Sequence, residues 1–255
     1  MLNNQKIVVV MPAYNAARTL RYVYEEVPKD VVDEIILVDD ASNDSTVDIA
    51  HELSITCFVH QSNIGYGANQ KTCYARALEL GADVVVMVHP DYQYTPKLIT
   101  AMAGMVTSGV YDAVLGSRVL GSGAVRQGMP FYKFVANRVL TAIQNICLSR
   151  KLSEYHTGFR AFSKKVLVNL PLGENSNDFV FDNEMITQLI FFDYKVGEIS
   201  CPAKYFEDAS SIGLVSSIRY GFGVLRTTAL FLISKSGIWQ AKIFKTDGQR
   251  LNVRR

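Results

Sequence analysis

Two short polar segments carry carboxylates directly after runs of apolar residues. Asp39 and Asp40 end one such run, and the segment HPDYQ at 89–93 follows another. A carboxylate at the carboxyl end of a strand can accept hydrogen bonds from a nucleotide base or a ribose hydroxyl. A leaving pyrophosphate needs a cation, and hard divalent cations prefer oxygen ligands. Asp91 and Gln93 are therefore candidate metal ligands.

Both segments also have plain structural interpretations. Asn43, Asp44 or Ser45 can cap the helix predicted after the first acidic pair. Pro90 and Asp91 are common turn residues. A single acid is enough for a cap, so two adjacent acids ahead of the cap favour a ligand.

The usual glycine motifs for phosphate are missing. The chain has no Gly-x-x-x-x-Gly-Lys-Ser/Thr, and the turn PAYN at 12–15 lacks the glycine of a dinucleotide fold. Gly65 and Gly67 open a predicted helix. The plain interpretation is a tight turn into that helix, although a helix N-terminus also attracts phosphate oxygens.

Two arginines in the second half suit an acceptor that carries phosphate. Arg118 follows the fifth apolar run, and Arg160 lies in the segment TGFR. A guanidinium holds phosphate through paired hydrogen bonds. Structural ion pairs are the alternative for each arginine.

Alternating apolar runs and amphipathic stretches must position these side chains. Helices are predicted at 16–27, 45–53, 68–80 and 96–106. The runs between them, rich in β-branched residues, predict buried strands of a mostly parallel sheet at 7–11, 34–38, 56–60, 84–88 and 113–116. This βαβ alternation predicts an α/β nucleotide-binding sheet, with ligands at the carboxyl ends of its strands.

The second half has a different organisation. It comprises a glycine-containing loop, a long helix, a short segment, a helix and a strand, at 121–128, 130–149, 156–163, 182–192 and 196–201. We predict one domain over 1–212, with a nucleotide-binding half (1–118) and an acceptor half (119–212). A C-terminal amphipathic helix and basic tail follow at 213–255.

Composition supports one folded domain with an extension. The chain has 255 residues, of which 49% are hydrophobic and 20% charged, which argues against disorder. The formal net charge of +2 gives no reason to expect nucleic-acid binding. Four scattered cysteines without zinc spacing and a polar start predict a cytoplasmic protein with reduced thiols and no signal peptide.

The C-terminal segment carries an apolar helical stripe. Its members recur at spacings of three and four: Val215, Ile218, Phe222, Leu225, Ala229 and Leu232. Charges at Arg219, Arg226 and Lys235 interrupt the segment, so no membrane span is predicted. A basic tail with Lys242, Lys245, Arg250, Arg254 and Arg255 follows. The stripe fits an anionic membrane surface, a partner subunit or the chain's own core.

Six segments together resemble the family 2 glycosyltransferases over nearly the whole chain. In order, and with similar spacing, they are VVVMPAYN, IILVDDASNDST, NIGYGANQK, HPDYQ, LGSR and TGFRAFS. The branch they resemble makes dolichyl-phosphate mannose or polyprenyl-phosphate glucose. The resemblance implies a GT-A fold, inversion, a UDP- or GDP-sugar donor, and Mg²⁺ or Mn²⁺.

The resemblance also implies roles for individual residues. Gly67 would allow close backbone approach, and Asp91 would hold the metal on the donor phosphates. The donor site would comprise Pro12, Ala13, Tyr14, Asn15, Asp39, Asp40, Gly67, His89, Pro90 and Asp91. His89 replaces the first acid of the family's Asp-x-Asp motif; it can ligate Mn²⁺ or bind a donor phosphate or sugar hydroxyl.

Two further features follow from the resemblance. Asp182 and Glu184 lie where relatives carry the base that deprotonates an acceptor hydroxyl, although a carboxylate also favours a helix N-terminus. Residues 204–211 resemble a mobile loop that closes over donor and acceptor.

The sequence thus predicts transfer of a hexose to a polyprenyl phosphate, with Arg118, Arg160 and Asp182 as catalytic residues. Two alternatives stay open: a hydroxyl acceptor in polysaccharide or glycolipid assembly, and a noncatalytic sugar-nucleotide-binding subunit. We expect a cytoplasmic enzyme. A peripheral contact with the inner face of the membrane and a homo-oligomer also fit.

Overall fold

The computed structural model describes residues 1–121, 124–125, 128–204 and 213–253, without the side chains of Leu214 and Val215. One seven-stranded sheet runs through it in the order β3-β2-β1-β4-β6-β5-β7. The strands are β1 Ile7–Ala13, β2 Glu34–Asp39, β3 Thr56–Val59, β4 Val84–Met87, β5 Ala113–Ser117, β6 Arg160–Ser163 and β7 Val196–Ser200.

Eight α-helices cover the sheet: α1 Leu20–Glu26, α2 Thr46–Glu52, α3 Tyr66–Glu79, α4 Ile99–Thr107, α5 Phe131–Cys147, α6 Lys164–Asn169, α7 Phe181–Phe191 and α8 Leu214–Lys235. Short 3-10 turns lie at Pro96–Leu98, Leu172–Glu174 and Lys242–Phe244. The predicted α/β class and the mostly parallel sheet are confirmed.

Strand β6 is the exception to parallel pairing. It runs antiparallel to both β4 and β5, so a strand from the second half of the chain lies inside the sheet of the first half. The two predicted halves therefore share one sheet. This insertion also carries Arg160, the first residue of β6, to the middle of the molecule.

The core fills both faces of the sheet. Every residue of β1 is buried, because alternate side chains enter opposite layers. Val9 packs with α1 and α4 on one face, and Val10 packs with α3 and α7 on the other. The prediction of a buried strand at 56–60 is wrong in part: β3 is at the sheet edge, and Val59 is 54% exposed.

The predicted helix at 16–27 begins late. Residues 16–19 form a turn instead, in which the Thr19 amide donates to Ala16 O and the Ala16 amide donates to Thr46 Oγ1 over 2.8 Å. The turn leaves the loop after β1 free to line the edge of the sheet.

Helix α8 buries the opposite face from the predicted stripe. Val224, Thr227 and Phe231 face the core, where Phe231 packs on α7 and Phe244. The stripe is exposed at Ile218, Phe222, Leu225, Ala229 and Leu232. The alternative that this stripe packs on the chain's own core is therefore wrong for these five residues; the side chain of Val215 lies outside the described part. Among the described helices, none is long and apolar enough to cross a membrane.

Candidate active site

A cleft of about 1440 Å³ opens at the carboxyl ends of β1, β2 and β4. Parallel strands bring the loops that follow them to one edge of the sheet, so distant polar segments meet there. Most predicted site residues line the cleft: Pro12, Ala13, Tyr14, Asn15, Asp40, His89, Pro90, Asp91, Gln93, Arg118 and Asp182. Asp39, Gly67 and Arg160 lie behind its wall.

The loops at the strand ends have unusual backbone conformations. Asn15, Ala41 and Tyr92 have φ angles of 53°, 60° and 58°, a region that non-glycine residues enter at a cost of roughly 1–2 kcal/mol. Hydrogen bonds hold two of these loops together, since the Asn15 amide donates to Ser42 Oγ and the Asn43 amide donates to Asn15 Oδ1. Hydrogen bonds within the chain therefore hold this part of the cleft wall.

The two adjacent acids take different positions. Asp39 is fully buried, and its carboxylate accepts hydrogen bonds from the amide and hydroxyl of Ser42. Asp40 reaches the cleft and accepts from His60 Nδ1 and from the amides of Ile64 and Gly65 over 2.9–3.0 Å. Asp39 thus holds the loop after β2, whereas Asp40 holds the turn into α3. A nucleotide contact by either acid stays a prediction.

The close backbone approach expected at Gly67 is made with the chain itself. A Cβ atom there would lie 2.5 Å from Ser176 O and 2.7 Å from Phe181 Cβ. The Gly67 amide also donates to Asn177 O over 2.9 Å. The glycine lets the start of α3 pack against the segment that leads into α7, and so brings Tyr66 to the cleft.

Tyr66 connects His89 to Asp182. Its hydroxyl lies 3.0 Å from His89 Nε2 and donates to Asp182 Oδ2 over 2.8 Å. Burial, with the nearby Asp182, raises the pKa of Tyr66 well above its usual value, so the hydroxyl keeps its proton. A hydroxyl has one proton, so His89 Nε2 is the donor in the other contact. His89 can therefore accept a hydrogen bond or ligate a metal only through Nδ1.

Asp182 is surrounded by donors. Besides Tyr66, Gln70 Nε2 donates to its Oδ1 over 2.7 Å, and Arg160 Nη1 lies 2.7 Å from the same oxygen. Arg160 has no exposed surface. Its predicted contact with an acceptor phosphate stays a prediction, and the structure assigns it a second role, which is to hold Asp182.

Arg118 lines the cleft, and a carboxylate behind the cleft wall holds its guanidinium in place. Glu154 is fully buried and accepts from Arg118 Nε over 3.0 Å, from the Arg118 amide over 2.8 Å and from Asn137 Nδ2 over 2.8 Å. The guanidinium also donates to Glu154 and His156 O through Nη2. This pairing fixes the plane of the guanidinium at the cleft wall.

His156 and Tyr220 bring α8 into the site. His156 Nδ1 lies 2.8 Å from Tyr220 Oη, and both residues line the cleft. Burial lowers the pKa of His156 to about 4, so the imidazole is neutral at pH 7.

Sequence reasoning missed five residues of this site: Tyr66, Gln70, Glu154, His156 and Tyr220. Tyr66 and Gln70 lie inside the NIGYGANQK segment. The length of this segment was a signal from which the two residues could have been identified as candidates. Glu154 and Tyr220 meet their partners only through the tertiary fold.

The residues after β4 fit a metal ion that is coordinated jointly by the protein and a bound ligand better than a metal site made of protein side chains alone. Asp91 Oδ1 accepts from the Gln93 amide over 3.0 Å. Among the described residues no three His, Cys, Asp or Glu side chains cluster closely enough to hold an ion. One carboxylate with neutral neighbours suits Mg²⁺ or Mn²⁺ when the phosphates of a ligand supply further oxygens.

Part of the predicted mobile loop, 205–211, lies outside the described residues. Lys204, which precedes it, places Nζ 4.1 Å from the centre of the Tyr92 ring, next to Asp91.

Comparisons with known proteins agree with this geometry. The family model described as Glycosyl transferase family 2 matches residues 8–170. A curated relative from Methanococcus voltae, named UDP-N-acetylglucosamine--dolichyl-phosphate N-acetylglucosaminyltransferase, is 25% identical and covers 90% of this chain and 97% of its own. Glycosyltransferase AglD of Haloferax volcanii is 26% identical over 76% of this chain and 32% of its own length.

Two solved structures of glucosyl-3-phosphoglycerate synthase from Mycobacterium tuberculosis share the fold. The complex with UDP has a TM-score of 0.70 at 18% identity and covers 94% of this chain and 83% of that one. The complex with Mn²⁺, UDP and glucosyl-3-phosphoglycerate has a TM-score of 0.66 at 16% identity, with coverage of 94% and 82%. The predicted GT-A fold is confirmed.

Proposed function

The chain belongs to glycosyl transferase family 2 and is a glycosyltransferase, and we propose that it transfers a hexose, with inversion, from a UDP- or GDP-sugar to a polyprenyl phosphate. The name of the Methanococcus voltae relative, which includes dolichyl phosphate, supports this acceptor class. It also favours UDP as the donor nucleotide.

The observation that carries the acceptor proposal is the environment of Asp182. A hydroxyl acceptor must lose a proton to a base. Both Asp182 oxygens already accept or face donors from Tyr66, Gln70 and Arg160 at 2.7–2.8 Å, so only part of the carboxylate's accepting capacity is left for an incoming hydroxyl. A phosphate acceptor is already an anion and needs only positioning and charge compensation. Arg118, whose guanidinium lines the cleft, is the group we propose for that purpose.

On the donor side we propose that Tyr14, Asn15 and Asp40 surround the nucleotide. Asp91, Gln93 and the Nδ1 atom of His89 would hold a divalent metal shared with the pyrophosphate. When bound, the metal offsets the negative charge that develops on the leaving nucleoside diphosphate. The Mn²⁺ and UDP in the structural neighbour support a divalent metal at such a site.

A transfer assay tests the function. Purified protein is first screened by thermal shift with UDP- and GDP-sugars, each with Mn²⁺ or Mg²⁺. The stabilising donor is then incubated with a short, water-soluble polyprenyl phosphate or with hydroxyl acceptors. We expect sugar on the phosphate, detected by mass spectrometry. Transfer only to hydroxyl acceptors would refute the proposal.

The same assay, run at a saturating donor concentration, distinguishes the roles of two cleft residues. Asp182→Asn should keep transfer to the phosphate within about tenfold of wild type, because no proton has to be removed. Arg118→Ala should lower it by about 10²-fold or more, the scale for losing a group that compensates charge in the transition state. The matched control is Arg138→Ala, which also removes an arginine bonded to a backbone carbonyl but lies outside the cleft. Complete loss of transfer in an Asp182→Asn variant that keeps the wild-type Tm would contradict the phosphate acceptor.

Nucleotide binding should depend on Asp40. Asp40→Asn is expected to weaken binding of the donor nucleotide by roughly 1–3 kcal/mol, the cost of a buried hydrogen bond left unmade. Asp39→Asn should weaken it by a comparable amount through the Ser42 contact that positions Asn15. Isothermal titration calorimetry with the free nucleoside diphosphate measures both. Unchanged affinity in both variants would remove the acids from the nucleotide site.

A further inference from the structure

Helices α5 and α8 pack against each other and expose large apolar side chains to solvent. On α5 the exposed large residues are Phe131, Tyr132, Val135, Val139 and Ile146. On α8 they are Ile218, Phe222, Leu225, Leu232 and Ile233. We refer to these ten residues as the α5–α8 surface. The exposed residues of each helix recur at helical spacing and so lie on one side of that helix. Large apolar side chains grouped in this way, rather than scattered singly, indicate an interaction site.

Charge on the two helices has one sign. Their 17 and 22 residues include no Asp or Glu. They carry five cations, which are Lys133, Arg138, Arg219, Arg226 and Lys235. Arg219 and Arg226 are both exposed and stand two helical turns apart, along one edge of the apolar stripe. An apolar face bordered by cations is typical of a helix that lies in the plane of an anionic bilayer.

The same two helices also contribute residues to the cleft. Lys133 and Ala136 of α5 and Ser217 and Tyr220 of α8 line it. The helices that carry the α5–α8 surface therefore also form part of the cleft wall.

We propose that the α5–α8 surface docks this protein onto the surface of a bilayer that contains anionic lipid. Exposed apolar side chains enter the interface, and Arg219 and Arg226 contact lipid phosphates. A second copy is a poorer occupant, because a two-fold contact through this surface would bring basic helices together with no acid on either to pair with. If the proposed function holds, the acceptor is taken from the same membrane. This consequence is the one part of the proposal that rests on the proposed function.

Vesicle sedimentation without donor or acceptor tests the docking. The probes are vesicles of phosphatidylcholine alone and of phosphatidylcholine with phosphatidylglycerol. Val139 is 53% exposed. Val139→Glu should weaken binding to the anionic vesicles about tenfold, because it puts a charge where two methyl groups would enter the bilayer. The matched control is Val110→Glu: Val110 is 54% exposed but lies before β5, at the end of the sheet opposite the cleft, so its binding should match wild type.

A second variant tests the charge. Arg219→Gln with Arg226→Gln should weaken binding to anionic vesicles roughly tenfold, and 0.5 M salt should weaken the wild type similarly. The proposal is overturned if wild type does not sediment with anionic vesicles, or if Val139→Glu binds as wild type does. It is also overturned if light scattering shows a dimer that Val139→Glu dissolves while vesicles stay unbound. Vesicle binding without any transfer to a polyprenyl phosphate would refute the proposed function and leave the docking intact.

Discussion

Asp91→Ala is expected to abolish metal-stimulated glycosyl transfer while the protein stays folded. Asp91 follows β4 at the edge of the cleft, and it supplies the only carboxylate of the proposed metal set. Without it a bound metal would lose its charged protein ligand, and the leaving nucleoside diphosphate would lose its counter-charge. Removing a group that stabilises transition-state charge costs about 10²–10³-fold in rate. Transfer rates with and without Mn²⁺ or Mg²⁺ measure the effect.

The local contacts of Asp91 explain why the fold should survive. Its Oδ1 accepts from the Gln93 amide, two residues away, so its loss affects the loop rather than the core. Asp48→Ala, at an exposed acid in the first turn of α2, is the control and should respond to metal as wild type does. If Asp91→Ala keeps its metal response with an unchanged Tm, the metal site lies elsewhere.

Arg160→Ala is expected to lower the free energy of unfolding by about 3–5 kcal/mol, the usual cost of removing one partner of a buried ion pair. Arg160 is fully buried, and its guanidinium lies 2.7 Å from Asp182, whose side chain is 11% exposed. The truncation leaves a carboxylate without its cation and removes most of a fully buried side chain. Urea unfolding followed by circular dichroism measures the loss.

A double-mutant cycle identifies the cause. Arg160→Met with Asp182→Asn removes both charges and keeps most of the volume, so it should recover a large part of the lost stability. Arg21→Ala breaks the exposed pair with Glu52 and should change stability by less than about 1 kcal/mol. A coupling energy near zero between Arg160 and Asp182 would contradict the positioning role. In that case any loss of transfer in Arg160→Ala would point to direct contact with the acceptor.

The residues at the strand ends could be predicted because the signal is local. An apolar run followed at once by polar residues marks the end of a strand, and parallel strands gather those ends at one edge. Asp40 and Asp91 were placed at the cleft in this way, from neighbours in the chain. Strand β6 could not be ordered by the same reasoning, because its position between β4 and β5 depends on pairing with distant segments.

The ion pairs behind the cleft could not be predicted either. Arg118 and Glu154 are 36 residues apart, and Arg160 and Asp182 are 22 residues apart. From the sequence, each arginine could be a phosphate ligand or half of a structural ion pair, and nothing in the sequence identifies the carboxylate that would pair with it. In the folded chain each arginine forms an ion pair with a carboxylate of the same chain, because a buried charge must be paired. That pairing turns Arg160 inward and leaves Arg118 fixed at the cleft wall.

Helix α8 shows most clearly which features follow from the sequence and which depend on the tertiary structure. The apolar spacing of Ile218, Phe222 and Leu225 determined from sequence alone that a helix forms and that it has an apolar stripe. Which face is buried was decided by close packing on the helix before it. A Cβ atom at Gly223 would lie 2.4 Å from Val180 Cγ2, so only the glycine face can approach that closely. The hydroxyl of Thr228, which is buried on α8, donates to Val224 O and needs no partner from the core. The inward side of α8 therefore combines Gly223 and Thr228 with Val224 and Phe231, and the stripe with Ile218, Phe222 and Leu225 is left at the surface.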